Sequence, residues 1–146
     1  SLIRLAPNKM VNFPVEVPDS AGIPEAVRDD ILVAPFNDPQ VASEIMNEYS
    51  DQIAGVIVEP LQRVIPPLKG FLEHLRAETK RIGALLIFDE IVTGFRLSVG
   101  GAQKYFDIKG DFVCFGKGMG NGLPISAITG PTEFMKILKK LQVIKF

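Results

Sequence analysis

Short apolar runs alternate along the chain with stripes of apolar residues at helical spacing, and this alternation restricts the fold more than any other feature. The runs predicted as buried strands are ILVAPF (31–36), AGVIVE (54–59), ALLIF (84–88), FVCF (112–115) and ISAIT (125–129). Because strands that alternate with helices form parallel sheets joined by crossovers, the pattern predicts an α/β domain. We expect a mostly parallel sheet flanked by helices, with ALLIF covered on both faces.

Three helices are predicted between and after these strands. Asp38 is placed to cap the first helix and Pro39 suits its first position, while Gly83 suits the end of the second. The apolar stripes of the three helices are Val41, Ile45 and Tyr49; Leu68, Phe71, Leu72 and Leu75; and Phe134, Ile137, Leu138 and Leu141.

The first thirty residues differ from the rest of the chain. Prolines block long helices there, so residues 1–30 are predicted to form an irregular, loop-rich segment, with the α/β part over 31–146. The chain begins at Ser1 without a methionine and ends without a closing turn. We therefore expect a piece of a larger protein, truncated at both ends.

The charges and the cysteine content exclude several classes of protein. Sixteen Lys and Arg balance seventeen Asp and Glu, so no basic excess points to nucleic acid or to an anionic membrane. No apolar run approaches the ~18 residues of a membrane span. The single Cys114 excludes an internal disulfide framework and fits a reducing, cytoplasmic compartment.

Polar residues follow the predicted strands where ligands bind in open parallel sheets, beyond the carboxyl ends. They stand at three places: Glu59-Pro60, Asp89-Glu90 and Gly116-Lys117. Asp89 follows five apolar residues, and since burying an unpaired carboxylate is costly, a cationic partner is expected. Lys117 lies in the glycine-rich run GKGMGNG (116–122), where the backbone has unusual freedom. A lysine desolvated in such a loop is a candidate amine for Schiff-base formation.

Other interpretations of these residues exist. ALLIFDE also resembles the magnesium-binding strand of a P-loop nucleoside triphosphatase, but that family's phosphate loop needs Ser or Thr after the lysine and a glycine five residues before it. Here Gly118 follows Lys117 and Phe112 precedes it, so the match fails twice. His74 is predicted to lie on the surface, and Cys114 is predicted to pack in the core.

A longer signature resembles the class III pyridoxal-phosphate-dependent aminotransferases. Its parts stand in order and at the family's spacing: LLIFDEIVTGFR, GGAQKYF and DFVCFGKGMGNGLP, in which Asp111 also falls on the pattern. AGVIVEP, GFLEHLRAETKRIG, PFND and AGIPEAV extend the similarity back to about residue 21. The resemblance implies a partial large domain of a fold-type-I enzyme that binds pyridoxal 5'-phosphate (PLP).

The resemblance also implies roles for individual residues. Lys117 matches the lysine that binds the cofactor covalently and then moves a proton between the substrate carbon and the cofactor. Asp89 matches the aspartate that pairs with the pyridine nitrogen and keeps it protonated, so that the ring accepts electrons. Ile91 would lie against the ring face. Glu59 matches a family glutamate near the active site to which no chemical step is assigned.

The function implied is transfer of an amino group from a small-molecule amino donor to a carbonyl acceptor. Within the same cofactor class, the alternative is the intramolecular amino shift of a glutamate-1-semialdehyde 2,1-aminomutase. More distant alternatives are a nucleoside-triphosphatase fragment and an inactive structural fragment. The full-length relatives of such a chain are expected to be homodimers.

Overall fold

The computed structural model describes residues 20–140, with side chains as far as Ile137. The helices are α1 (Glu25–Asp29), α2 (Pro39–Glu48), α3 (Phe71–Ile82), α4 (Gly101–Tyr105) and α5 (Thr132–Lys140). The strands are β1 (Gly55–Val58), β2 (Leu85–Glu90), β3 (Phe112–Phe115) and β4 (Ala127–Thr129). Over this part of the chain, every helix falls short of the length and apolar character needed to cross a bilayer.

The strands form one four-stranded sheet in the order β1-β2-β3-β4. β1 pairs in parallel with β2, and β2 pairs in parallel with β3, whereas β4 returns antiparallel to β3. The connections between the parallel strands pass through α3 and α4. The predicted α/β class with a mostly parallel sheet is therefore confirmed, as are the four strands predicted after residue 53.

The core lies between the sheet and α2 and α3. Alternate residues of β2 are buried on this side, because side chains of a strand point to opposite faces in turn. The buried members of the core are Ala42, Met46, Phe71, Leu72, Leu75, Leu86, Phe88, Ile108 and Val113. On the opposite face Ile57, Ile87 and Phe112 stand in register, and the side chain of Ile57 is 64% exposed. The described residues thus cover one face of β2 fully and the other only partly.

The start of α2 and the end of α3 lie where the sequence indicates, whereas Leu68, predicted in the stripe of α3, precedes that helix and is 64% exposed. The Asp38 carboxylate accepts a hydrogen bond from the Val41 N–H at 3.0 Å, which caps α2, and Pro39 is its first residue. α3 begins at Phe71 and ends before Gly83, which adopts φ 75°. The buried face of α2 is Ala42, Ile45 and Met46, so it is rotated slightly from the predicted stripe.

The prediction of a strand over ILVAPF (31–36) is wrong. These residues form neither strand nor helix, and each is half-buried or exposed. The segment leads into the core through Phe36, whose ring meets Phe71 edge-on at a centroid distance of 5.0 Å. Phe36 thus packs against α3, and the segment does not pair in the sheet.

The ends of the chain are described in part. Within the predicted irregular segment, residues 1–19 lie outside the described residues, and residues 25–29 form the short helix α1. α5 confirms the last predicted helix, with the Phe134 ring 5.7 Å from that of Phe112. The Leu138 side chain and Leu141 lie outside the described part.

Candidate active site at the carboxyl edge of the sheet

The parallel strands bring the predicted polar residues to one edge of the sheet. Val58 is paired with Phe88, so Glu59 follows β1 at the level of Asp89, one residue before β2 ends. Glu90 is paired with Phe115, so Gly116 and Lys117 leave β3 just beyond that level. Glu59, Asp89 and Lys117, each about thirty residues from the next along the chain, therefore lie at the ends of neighbouring strands.

Asp89 is half-buried on the less covered face of the sheet. One oxygen of its carboxylate accepts the Ile91 backbone N–H at 3.1 Å, which fixes the side chain against the turn that follows β2. Within residues 20–140 Asp89 makes no ion pair, so the predicted cationic partner is not supplied by this part of the chain. The arrangement leaves a fixed anionic group facing away from the core.

Cys114 is the direct cross-strand partner of Asp89. Paired residues of neighbouring strands share a face, so the thiol stands on the same side as the carboxylate. Burial raises the pKa of the Cys114 thiol, and the negative charge of Asp89 raises it further. The side chain is half-buried and lies outside the buried core, so the prediction that it packs in the core is wrong.

Ile91 lies beside the exit of β3. A Cβ atom built on Gly116 would stand 3.4 Å from Cγ2 of Ile91, which is van der Waals contact, so the two residues are direct neighbours. Gly116 is buried and Ile91 is half-buried. The Ile91 side chain therefore has a fixed neighbour on the turn that carries Lys117.

Lys117 occupies a tight turn at the end of β3. Its carbonyl accepts hydrogen bonds from the N–H groups of Gly120 at 3.1 Å and Asn121 at 3.0 Å. Its φ of 33° lies in the left-handed region, which costs a residue with a side chain about 1 kcal/mol or more. The side chain is exposed, so the desolvation expected from the sequence is not provided by the described residues.

Glu59 is occupied by its own turn. Its carboxylate accepts the Arg63 backbone N–H at 3.3 Å, four residues further along the chain. The residue therefore stands level with Asp89 while its side chain stabilises the segment after β1.

Glu90, which the sequence places beside Asp89 without a role of its own, is completely buried. Its carboxylate accepts hydrogen bonds from the Thr93 hydroxyl and from the N–H groups of Ala102 and Gln103. The usable signal was the alternation of β2, which turns Glu90 into the core when Asp89 faces outward.

Two other polar groups serve the scaffold. Asp111 accepts the Leu86 N–H at 2.7 Å and an Arg76 N–H at 2.8 Å, which anchors the start of β3 to β2 and α3. The predicted surface position of His74 is wrong in part, since its ring is half-buried and Nε2 lies 2.7 Å from the Ser43 hydroxyl on α2.

Other sites for ligands are separate from this edge. Surface cavities of about 260 Å³ and 690 Å³ lie beside α3, and neither is lined by Asp89, Ile91 or Lys117. Among residues 20–140 no group of three or more His, Cys, Asp and Glu side chains is placed to hold a metal ion.

Comparison with known proteins agrees with the resemblance seen in the sequence. The profile of the family described as Aminotransferase class-III matches residues 11–143. A glutamate-1-semialdehyde 2,1-aminomutase of Aeropyrum pernix is 50% identical over 125 residues, which are 84% of this chain and 29% of that protein. The corresponding enzyme of Natranaerobius thermophilus is 45% identical over the same shares of the two chains. The chain thus spans less than a third of the length of these relatives.

Solved structures give the same result for the fold. An omega-transaminase from Sphaerobacter thermophilus superposes with a TM-score of 0.79 at 36% identity, covering 84% of this chain and 28% of that one. A transaminase with PLP bound superposes with a TM-score of 0.78 at 31% identity, covering 85% and 29%. The described sheet and helices are therefore part of a fold-type-I domain.

Proposed function

The chain belongs to the class-III aminotransferase family, and on that basis we propose that it carries the lysine and the ring-nitrogen partner of a PLP-dependent amino-transferring enzyme. The observation that carries the proposal is the placement of Asp89 and Lys117 at the ends of adjacent parallel strands, within the family signature. When bound, PLP supplies a conjugated ring that takes up the electron pair left on the substrate carbon.

Lys117 is the proposed catalytic residue. Its amine would bind the cofactor covalently and then move a proton to and from the substrate carbon. The turn supports this role, because two backbone hydrogen bonds to the Lys117 carbonyl hold the residue at the sheet edge while its side chain stays exposed.

Asp89 is the proposed partner of the protonated ring nitrogen. The bond from the Ile91 N–H engages one carboxylate oxygen, and the side chain makes no ion pair within the described part of the chain. An anionic group held in this way stabilises a positive charge placed beside it, since few protein dipoles need to reorient. A protonated pyridine nitrogen has the required charge.

Ile91 is the proposed apolar contact for one face of the ring. The side chain is half-buried against Gly116, so it presents carbon atoms from a fixed position. Asp89, Ile91 and Lys117 together would thus hold the nitrogen, one face and the reactive carbon of the cofactor.

The described residues leave two reactions open within this cofactor class. The curated relatives named above are aminomutases, whereas the solved structures named above are transaminases. We place amino transfer between a small-molecule donor and a carbonyl acceptor first, with the intramolecular shift as the alternative. Family membership favours both over a nucleoside triphosphatase. A homodimer in the cytoplasm, implied by the resemblance, belongs to the same proposal.

The test uses the complete protein that contains this chain. Titration with PLP is followed by absorbance, and we expect a visible band that saturates at one cofactor per chain and is lost in Lys117→Ala. Turnover of glutamate 1-semialdehyde without a second carbonyl compound would identify the aminomutase. Turnover that requires a separate donor and acceptor would identify a transaminase. A wild-type protein that binds no PLP would overturn the proposal.

A further inference from the structure

Glu90 is a buried charge at the end of the strand that carries Asp89. Its side chain has no exposed surface, and its carboxylate accepts bonds from the Thr93 hydroxyl and the Gln103 N–H, each at 3.1 Å, and from the Ala102 N–H at 2.5 Å. A buried carboxylate is retained at low cost only when donors satisfy it, and these donors do so. Within residues 20–140 it has no cationic partner.

The donors come from the start and from the middle of the connection between β2 and β3. Thr93 lies in the turn directly after the strand, while Ala102 and Gln103 lie in the first turn of α4. The carboxylate therefore closes a loop of about ten residues onto the end of β2. Gly101 leaves space for the carboxylate, because a Cβ atom at that position would stand 2.4 Å from a Glu90 oxygen. Its φ of 75° also favours glycine.

The same turn touches the segment that holds Lys117. The Gly94 N–H donates to the Glu90 carbonyl at 2.8 Å, which closes the turn. A Cβ atom on Gly94 would stand 2.7 Å from Cδ1 of Phe115, and one on Gly118 would stand 3.1 Å from the Gly94 carbonyl oxygen. The turn after β2 and the turn after β3 are thus in contact through backbone.

We infer that Glu90 is a positioning residue that sets the place of the Lys117 turn relative to Asp89, although it contacts neither Asp89 nor Lys117 through its carboxylate. Asp89 and Glu90 point to opposite faces of β2, one toward the proposed cofactor and the other into the scaffold. The carboxylate fixes the 90–94 turn through its bond from the Thr93 hydroxyl. The Gly94 carbonyl of that turn lies against Gly118. The assignment of a role in positioning the cofactor rests on the proposed function.

The experiment measures amide hydrogen exchange in the complete protein. It compares the wild type with variants that lack one or more of the hydrogen bonds to the Glu90 carboxylate. Thr93→Val removes one donor with little change in shape, Thr93→Ser restores the hydroxyl, and Glu90→Gln replaces one accepting oxygen by a donor. Glu73→Gln, at an exposed position on α3, is the matched control. Exchange is read at Ala102 and Gln103, and separately at Met119, Gly120 and Asn121 in the Lys117 turn.

In Glu90→Gln we expect exchange about tenfold faster at Ala102 and Gln103, since a buried bond to a charged group is lost. In the same variant, amide exchange in the Lys117 turn should rise at least about threefold, and it should not rise in the Glu73→Gln control. Thr93→Val should give a smaller change of the same pattern, and Thr93→Ser should return to wild type. If Glu90→Gln does not fold, the inference is tested by the difference in exchange between Thr93→Val and Thr93→Ser.

Unchanged exchange at Met119, Gly120 and Asn121, with faster exchange confined to residues 93–103, would overturn the inference. This result is independent of the cofactor, so it is distinct from failure of the wild-type protein to bind PLP. Where PLP binds, we expect Glu90→Gln to raise its dissociation constant about tenfold at a temperature where the variant is fully folded. A residue that only stabilises the fold would lower the melting temperature and leave that constant unchanged.

Discussion

Asp89 and Cys114 face each other across parallel strands β2 and β3, so a carboxylate and a thiol share one side of the sheet just before the turn that holds Lys117. The negative charge of Asp89 disfavours the thiolate and so raises the pKa of the Cys114 thiol. Cys114 is therefore a chemical reporter of the charge at Asp89.

The first prediction concerns the pH dependence of Cys114 alkylation. Only the thiolate reacts, and burial and Asp89 both raise the pKa of the thiol, so the midpoint of the rate profile should lie above that of an ordinary cysteine. In Asp89→Asn the midpoint should fall, while staying above the ordinary value because burial, the larger cause, remains. The rate is measured on the peptide that contains Cys114. A midpoint that is the same in Asp89→Asn and the wild type would show that the charge of Asp89 does not raise the pKa of Cys114.

Asp89→Asn should leave the fold nearly intact and reduce turnover at least about a hundredfold, as expected when a fixed charge that stabilises a developing charge is removed. The amide keeps the shape and can still accept the Ile91 N–H. Single-turnover kinetics and the melting temperature are measured together, with the exposed Asp51→Asn as control. Near-wild-type single-turnover rates would show that Asp89 does not act on the ring nitrogen.

Lys117→Ala should abolish covalent attachment of PLP and nearly all activity. Borohydride reduction of the complete protein with bound cofactor, followed by peptide mapping, should label Lys117 in the wild type. The exposed Lys80→Ala on α3 is the control and should be labelled at Lys117 as usual. Labelling of a different lysine in the wild type, with Lys117 unmodified, would overturn the assignment of the catalytic amine.

Gly94→Ala should destabilise the protein by about 1–3 kcal/mol, because overpacking forces neighbouring atoms apart. The new methyl would stand 2.7 Å from the Glu90 carbonyl oxygen and 2.7 Å from Cδ1 of Phe115. Gly22→Ala is the matched control, since nothing lies within 4 Å of its Cβ position. The melting temperatures of the two variants are compared; an equal effect would mean that the 90–94 turn yields easily.

Periodicity predicted the strands and helices that cover the core, because burial of one face leaves a regular mark in the sequence. It failed at residues 31–36, where Phe36 packs on Phe71 and no strand partner is present among the described residues. The reversal of β4 was not predicted either, since an apolar run carries no sign of its direction. Short helices such as α4 have too few residues to show a period.

At the site, the sequence predicted which strand ends meet but not what the side chains do there. Glu59 turns back to its own backbone, and Glu90 bonds to residues twelve and thirteen positions away. Asn37 behaves similarly, bonding through its side chain to the Pro66 carbonyl and the Leu68 N–H about thirty residues on. Such partners depend on where loops lie in space, and no local pattern encodes them.

The antiparallel return of β4 places the end of the Lys117 loop beside its start. Phe115 and Ala127 are paired, so residues 116–126 leave the sheet and come back to the same two strands. Doubling the length of a flexible loop adds only about 0.6 kcal/mol to its closure. An insertion beside the exposed Leu123 would interrupt the bond from the Leu123 N–H to the Gly120 carbonyl, but it would lie beyond the two bonds to the Lys117 carbonyl. A longer rim built there would therefore leave in place the turn bonds that hold Lys117 at the end of β3.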